Sequence, residues 1–333
     1  MDNKQYKNLA EAISIKDLNK SFKVRQKDSG FKGFCKSIIR SQYKNVDAVK
    51  NISFNVKSGE LVAFIGPNGA GKSTTLKILS GILYPDSGEV KVLGLNPQKN
   101  RKKLAYDIGT VFGQKPQLWF HLPAMDSFNL FARIYEIPQE VYKKRIAELI
   151  KKFEIEDIVD QPVRKLSLGQ RMRCEIVLSL IHNPKILFLD EPTIGLDIIA
   201  KKNIRELIRE INDKENTTII LTSHDMDDVE KICKRAVIIN KGSIIYDGKI
   251  KDLKNNYIKK KTVKALSETP IRFSARKNVK IIKKSEFGIK IEINTDKTPI
   301  KNIIDYLLKN NQIIDLTIEE PEIEEIIEAV YRK

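Results

Sequence analysis

Apolar runs of two kinds recur between polar segments along most of the chain and predict an α/β domain. Ile186–Leu189 and Thr218–Thr222 are almost continuously apolar, which is typical of strands buried on both faces of a parallel sheet. Ala12–Leu18 instead alternates apolar and polar residues like an edge strand, and Ile52–Val56 alternates in the same way. From Leu118 to about Leu180 the apolar residues recur at helical spacing, so a largely helical region is expected there.

The pattern changes near residue 253 and divides the chain into two predicted domains. Residues 1–252 hold the strands and helices described above, and the lysine- and asparagine-rich residues 253–262 suggest a linker. Residues 263–333 predict a hairpin, a helix, a strand and a final acidic helix at 321–330, which together make a small α+β domain of two layers.

A segment at about residues 30–42 lies between the two alternating strands and predicts a short basic amphipathic helix. Phe31, Phe34 and Ile38 recur at helical spacing, with lysine and arginine residues around them. The apolar side of this helix could pack on the domain itself, or the helix could lie on a membrane surface or dock a partner. The sequence leaves these alternatives open.

The net charge of the chain admits three interpretations. Its 333 residues include 60 Lys and Arg against 43 Asp and Glu, a formal net charge of +17. An anionic membrane surface would attract such a chain, and so would a nucleic acid. Lysines that are simply solvated would give the same composition.

Other bulk features exclude several classes of protein. No apolar run approaches the roughly 18 residues of a membrane-spanning helix, and the first residues lack the apolar core of a secretory signal. The cysteines Cys35, Cys174 and Cys233 are isolated, which argues against a disulfide framework and a zinc site. They suit a reducing cytoplasm.

A glycine-rich segment between a predicted strand and a predicted helix indicates a phosphate-binding loop. Leu61–Ile65 precedes it as an apolar run and Thr75–Leu79 follows it with helical spacing, which is the context that such a loop requires. Its glycines let phosphate oxygens approach backbone N–H groups near the positive end of the helix. Lys72 supplies a charge for the β- and γ-phosphates, and the Ser73 hydroxyl is placed to ligate Mg²⁺. The segment comprises Gly66, Pro67, Asn68, Gly69, Ala70, Gly71, Lys72, Ser73 and Thr74.

Two carboxylates at the end of a predicted central strand complete a candidate catalytic site. Asp190 and Glu191 follow the apolar run at 186–189, at the edge where parallel α/β sheets place their ligands. Asp190 suits Mg²⁺, whereas Glu191, one residue further along the strand, is expected to point elsewhere and to polarise an attacking water. The alternative is an ordinary pair of acids before Pro192.

Three further polar positions indicate a functional site only when they are taken together with the motifs above. Ser167-Leu168-Gly169-Gln170 opens a predicted helix and is either an ordinary helix cap or a second anion site that faces another copy across a dimer. Gln114 and His224 each follow a predicted strand, where they could reach Mg²⁺, the attacking water or the γ-phosphate.

The ordered set of motifs resembles the nucleotide-binding subunit of ABC transporters. The set contains GPNGAGKST, Gln114, LSLGQ, ILFLDEP, Gly195–Asp197 and Thr222–Asp225, and the match covers roughly residues 13 to 253. The resemblance implies an α/β ABC-type P-loop ATPase domain with a mixed central sheet, an antiparallel β subdomain and a helical subdomain. It also implies that the chain binds ATP and Mg²⁺ and hydrolyses ATP.

The resemblance implies a role for each motif residue. Glu191 would be the catalytic base, His224 the switch histidine, and Gln114 the loop glutamine that senses Mg²⁺ and the membrane partner. Mg²⁺ would be held by Ser73, Gln114 and Asp190. The residues that would close on ATP held by the other subunit are Ser167, Gly169, Gln170 and Asp197.

The chain departs from the family pattern at two places. Leu168 stands in the signature where glycine is commoner, and we expect it to be tolerated. The family stacks adenine on an aromatic residue shortly after the first strand. Phe22 has the right local sequence and Tyr43 the right spacing to the next strand, so this platform is ambiguous.

The resemblance also implies the partners of the chain. It is most similar to the drug-, polysaccharide- and lipid-export branch, in which the ATPase subunit forms a homodimer and drives a separate membrane permease. The chain is therefore expected as a peripheral subunit on the cytoplasmic face of the membrane. An importer ATPase, or a soluble ATPase that acts on ribosomes or nucleic acid, is the alternative; nucleic acid is the less favoured partner.

Overall fold

The computed structural model of the chain describes residues 10–25, 43–112, 116–223, 226–257, 260–274 and 276–319. These residues fall into two units, Met1–Gly248 and Lys249–Lys333. The predicted helices at about 30–42 and 321–330 lie outside the described residues, as do Gln114 and His224.

The alternating segments form a three-stranded antiparallel sheet in the first unit. Its order is β2-β1-β4, with bounds Glu11–Arg25 for β1, Tyr43–Lys57 for β2 and Ser87–Val92 for β4. β1 pairs with both β2 and β4, so the prediction that Ala12–Leu18 is an edge strand was wrong. Both long strands extend well beyond the predicted runs. The register shifts between Ile15 and Leu18, where Asp17 takes a positive φ of 49°, and this irregularity interrupts the alternation on which the prediction rested.

The continuous apolar runs lie in a six-stranded sheet of order β5-β6-β7-β3-β8-β9. Its strands are β3 (Leu61–Ile65), β5 (Ile108–Phe112), β6 (Ile186–Asp190), β7 (Thr218–Ser223), β8 (Arg235–Asn240) and β9 (Ser243–Lys249). The pairs from β5 through to β8 are parallel, so their carboxyl ends meet at one edge. That edge carries the phosphate loop after β3 and the carboxylates at the end of β6. Lys241 and Gly242, both with positive φ, make the tight turn of the predicted β8–β9 hairpin.

Seven helices of the first unit lie among the described residues: α1 (Lys72–Leu79), α2 (Arg101–Ala105), α3 (Ala124–Ile134), α4 (Gln139–Lys152), α5 (Leu168–Leu180), α6 (Ile198–Glu215) and α7 (Met226–Ile232). Helices α3 to α5 confirm the predicted helical region. The apolar pattern did not single out α2, α6 or α7. No helix within the described ranges combines the length and the apolar character that crossing a membrane requires.

The second unit is a small α+β domain with a core of its own. It contains α8 (Ile250–Tyr257), β10 (Lys260–Ser267), β11 (Val279–Lys284), β12 (Gly288–Asn294), α9 (Ile300–Asn310) and β13 (Ile313–Glu319). The sheet order is β11-β12-β10-β13, and Ile303 and Leu307 of α9 join the buried cluster of Val263 and Ile291. Residues 253–262, expected as a linker, contain the end of α8 and the start of β10. The domain boundaries themselves stay a prediction.

Burial sets the charge state of His182, which follows α5. Its ring stacks on Tyr135 with 4.0 Å between centroids, and Nε2 donates to the Ile108 carbonyl at 3.1 Å. Burial lowers the pKa of His182 to about 4. The buried Nδ1 has no hydrogen-bond partner among the described residues, as suits an imidazole that stays neutral in the folded protein.

We expect this histidine to make the fold less stable in mild acid. The unfolded chain binds a proton near pH 6.5, whereas the folded ring stays neutral down to about pH 4. Between those values the unfolded state holds more protons, so stability falls as pH falls, by about 2 kcal/mol between pH 7 and pH 5. Denaturant unfolding at both pH values should show that His182→Phe, which keeps an aromatic ring but cannot titrate, loses about 2 kcal/mol less than the wild type. Equal losses would contradict this account.

Candidate nucleotide-binding site

A cavity of about 550 Å³ lies at the carboxyl ends of β3 and β6. Two sets of residues predicted from separate motifs line it together, the phosphate loop and the two carboxylates. Its lining consists of Phe22, Ala48, Pro67, Asn68, Gly69, Ala70, Gly71, Lys72, Ser73, Thr74, Lys77, Ile82, Phe112, Asp190, Glu191 and Ile194. A space of this volume suits a nucleotide-sized ligand.

Two glycines of the loop are required by close backbone contacts. Gly71 has a φ of 111°, and a Cβ there would lie 2.3 Å from the Ala48 carbonyl oxygen. A Cβ on Gly66 would lie 2.4 Å from the Ile239 carbonyl oxygen. Any larger residue would therefore displace the loop from β2 or β8.

Lys72 is buried at the base of the cavity and faces acceptors on several sides. Its Nζ donates to the carbonyl oxygens of Gly66 at 2.6 Å and Pro67 at 3.3 Å, and lies 3.7 Å from Glu191 Oε1. Burial lowers the pKa of Lys72, while Glu191 and Asp190 act in the opposite direction. A buried cation of this kind suits a phosphate ligand, because the ligand would add to its compensating negative charge.

Hydroxyl groups hold the Asp190 carboxylate on two sides. Ser73 Oγ donates to Oδ2 at 2.8 Å and Thr222 Oγ1 donates to Oδ1 at 2.6 Å. Thr222 stands opposite Asp190 in the β6–β7 register. Thr222 belongs to one of the sequence motifs, but its role becomes visible only through the adjacency of β6 and β7.

The oxygen donors beside the loop fit Mg²⁺. Ser73 and Asp190 offer a hydroxyl and a carboxylate within hydrogen-bond distance of each other. Mg²⁺ usually takes one or two protein oxygens together with substrate phosphates and keeps several waters. The donor set is therefore sufficient for a metal bound together with a nucleotide.

Glu191 lies in the same cavity as Asp190, contrary to the expectation that it points elsewhere. β6 ends at Asp190, and Glu191 takes a φ of 54°, so the strand alternation stops between the two residues. The Glu191 N–H donates to Thr222 Oγ1 at 3.0 Å and to the Thr222 carbonyl oxygen at 3.1 Å. A positive φ is uncommon for residues other than glycine, and here it accompanies the entry of Glu191 into the cavity.

Of the two aromatic candidates for the adenine platform, only Phe22 lines the cavity. Tyr43 pairs with Arg25 further along the β1–β2 hairpin, and 63% of its surface is exposed. The geometry favours Phe22.

A second cavity, of about 400 Å³, gathers the signature residues and Asp197. Ser167 caps α5 in a capping box with Gln170, and Asp197 caps α6 by accepting from the Ala200 N–H at 2.9 Å. Its lining consists of Ser167, Gly169, Gln170, Arg173, Asp197, Ile199, Ala200, Asn203 and Ile204. Leu168 is not part of this lining, because its side chain turns toward Gly195.

Within the part of the chain that the structure describes, the two cavities share no lining residue. Beside the second one, Ile198 and Ile199 are 84% and 73% exposed. Two adjacent exposed isoleucines at the start of a helix are unusual on a surface that faces only water.

A buried carboxylate ties the signature helix to the segment that follows residue 115. Glu175 of α5 accepts from the N–H of Gln117 at 3.1 Å and of Leu118 at 3.3 Å. Burial raises its pKa, and those two N–H groups oppose the rise. The next residues, Trp119 and Phe120, are 47% and 50% exposed. No sequence pattern indicates the Glu175 contact, because it depends on tertiary structure alone.

Comparison with known proteins gives consistent results. A family profile described as ABC transporter matches residues 49–194. The ABC transporter ATP-binding protein NatA of Bacillus subtilis is 34% identical over 66% of this chain and 89% of NatA. The linearmycin resistance ATP-binding protein LnrL of the same organism is 30% identical over 86% of this chain and 94% of LnrL, a match long enough to extend into the second unit.

A solved structure gives the same result. The ATP-binding cassette MJ0796, in a dimeric post-hydrolysis state bound to ADP and Pi, aligns with a TM-score of 0.58 and 27% identity, covering 72% of this chain and 98% of that one.

Proposed function

The chain belongs to the ABC transporter ATP-binding proteins and is an ATP-binding ATPase, and from this premise we propose that two copies bind two ATP molecules head to tail and drive a separate membrane permease. The observation that carries the proposal is the division of the motifs between two cavities. Phosphate loop and carboxylates line one cavity, and the signature and Asp197 line the other. As far as the described residues go, neither cavity holds the whole set.

Within the first cavity we assign roles by position. Lys72 moves from the loop carbonyls onto the β- and γ-phosphates, and Phe22 stacks on adenine. Mg²⁺, when bound, supplies positive charge that offsets the phosphates. Ser73 and Asp190 are placed to hold it, and Thr222 keeps the Asp190 carboxylate oriented. Glu191 then orients the attacking water and accepts its proton.

The second cavity completes the site of the other copy. The N-terminus of α5 offers backbone N–H groups and the Ser167 hydroxyl to the γ-phosphate of the partner-bound ATP. Ile198 and Ile199 then become buried where the copies meet, which accounts for their exposure in one chain. The dimeric state of the MJ0796 cassette supports this arrangement.

The exposed aromatic pair Trp119 and Phe120 is our candidate contact with the permease. Through Glu175 the backbone just before Trp119 is hydrogen-bonded to α5, the helix that Ser167 caps. A displacement of α5 on hydrolysis would therefore reach the aromatic pair through the two N–H groups that donate to this buried carboxyl group. Gln114 precedes this segment in the sequence, and we assign it the role of sensor between the nucleotide site and the permease contact.

We propose export as the direction of transport. The relative LnrL is described as a linearmycin resistance protein, and removal of a compound from the cell is the simplest way in which a transporter confers resistance. The chain then works as a peripheral subunit on the cytoplasmic face of the membrane.

The test is ATP hydrolysis by the purified chain with and without detergent-solubilised membranes, together with capture of its membrane partner. We expect stimulated turnover and co-purification of a polytopic membrane protein. The variant Trp119→Ala/Phe120→Ala should keep basal hydrolysis but lose stimulation and capture. Activity indifferent to membranes, with RNA retained at high salt, would contradict the transport role.

A further inference from the structure

Two separate segments each contribute an apolar side chain to the lining of the nucleotide cavity. Phe22 belongs to β1, and Ile82 belongs to the turn that follows α1. A flat base that contacts both side chains requires that these segments keep a fixed separation. The turn ends at Asp86, just before β4.

The Asp86 carboxylate joins the turn to β1 next to Phe22. It accepts from the Ser21 N–H at 2.6 Å, from Ser21 Oγ at 2.8 Å and from Lys20 Nζ at 2.6 Å. In the reverse direction, the Asp86 N–H donates to the Asn19 carbonyl oxygen at 2.9 Å. One side chain and its own backbone therefore fix three consecutive residues before Phe22.

The same carboxylate also places a cation against the aromatic ring. Lys20 Nζ lies 5.5 Å from the centroid of the Phe22 ring, within the range of a cation–π contact. Because Asp86 holds Lys20, Phe22 is restrained in two ways: through the backbone of the residues before it, and through the contact of Lys20 with its ring. These hydrogen bonds lower the pKa of Asp86 to about 2, so the carboxylate stays ionised throughout the neutral range.

We propose that Asp86 is a positioning residue for the nucleobase: it fixes Phe22 relative to Ile82 and so sets the affinity for the base without touching the nucleotide. This inference rests on the proposed role of Phe22 as the adenine platform. Asp86 lies outside the motifs that suggested the site. Its sequence context, Pro-Asp-Ser-Gly, is that of an ordinary turn before a strand and does not by itself indicate a role in binding.

The test is a double-mutant cycle read by calorimetric binding of ADP and of inorganic triphosphate. We expect Asp86→Ala and Phe22→Ala each to weaken ADP binding by roughly three- to tenfold, the range of one stacking contact. The double variant should bind ADP about as weakly as Phe22→Ala alone, because Asp86 acts through that ring. Triphosphate, which has no base, should bind all three variants as it binds the wild type.

Other results would overturn the inference in recognisable ways. Effects that multiply in the double variant, or an equal loss of triphosphate binding, would mean that Asp86 does not act through Phe22. If Phe22→Ala left ADP binding unchanged, the platform assignment would fail, and the inference with it. If neither the wild type nor any variant bound ADP, the proposed nucleotide site itself would be wrong.

Two further variants keep the cycle interpretable. Asp86→Asn retains the shape and one acceptor but loses the negative charge that pairs with Lys20. It should therefore give a smaller loss, and it can replace Asp86→Ala if that variant does not fold. Asp47→Ala removes an exposed aspartate of the same hairpin, opposite Ser21, and should leave ADP binding unchanged.

Discussion

Replacing Glu191 with glutamine should stop ATP turnover and leave ATP-dependent dimerisation intact. The amide cannot accept a proton from water, and loss of a general base typically costs a factor of 10² to 10⁴, so we expect turnover to fall at least ~100-fold. The positive φ of Glu191 is equally accessible to glutamine, and Lys72 keeps its contacts with Gly66 and Pro67. Phosphate release measures turnover, and size-exclusion chromatography with ATP measures dimerisation.

The matched control for this variant is Glu89→Gln. Glu89 is an exposed acid of β4 that pairs with Lys91 and does not line the cavity. It should turn over ATP like the wild type. A Glu191→Gln protein with substantial activity would remove Glu191 from the role of base, whereas one that neither hydrolyses nor dimerises would indicate that nucleotide binding itself was damaged.

Local sequence was sufficient where a feature depends on consecutive residues. The run before Asp190 is buried on both faces of the sheet, and Gly66 and Gly71 of the loop before Lys72 are required by contacts with neighbouring strands, so the local sequence locates both features. Such positions tolerate few residue types, and their pattern is correspondingly distinctive. The places of the glycine-rich loop after β3 and of Asp190 at the end of β6 were therefore predictable from the sequence.

Features that depend on pairing or on backbone conformation were not predictable. Phe22 and Tyr43 could be told apart only when the β1–β2 register placed one in the cavity and left the other exposed. Glu191 turns into the cavity because of a single positive φ, which no side-chain pattern encodes. The contact of Glu175 with Gln117 links residues 58 positions apart, and nothing near either residue indicates the other.

A mixture of two inactive variants should recover activity if the sites are shared between copies. Lys72→Ala removes the buried cation of the first cavity, so this chain should not hold ATP. Ser167→Asp places a negative charge at the start of α5, where it should repel the γ-phosphate bound by the other chain. Aspartate is also a good helix cap, so the accepted hydrogen bond from the Gln170 N–H is retained and the fold should persist.

Each variant alone forms dimers in which both sites lack one component, so each should be nearly inactive. In a mixed dimer one site lacks both components and the other has an intact Lys72 and an intact Ser167. With equal amounts of freely exchanging chains, half of the dimers are mixed and each has one competent site, so about a quarter of wild-type activity should return if sites act independently.

The result separates two architectures that a single chain cannot distinguish. A head-to-tail dimer needs both cavities at each ATP, and the described residues place no signature residue in the first cavity. Recovery on mixing is therefore specific to shared sites. If each copy carried a complete site of its own, the partner could not restore the component that a variant lacks. If Ser167→Asp alone hydrolysed ATP normally, or if the mixture stayed inactive while Ser167→Asp still bound ATP in its own cavity, the second cavity would be an ordinary helix start and the head-to-tail arrangement would be wrong.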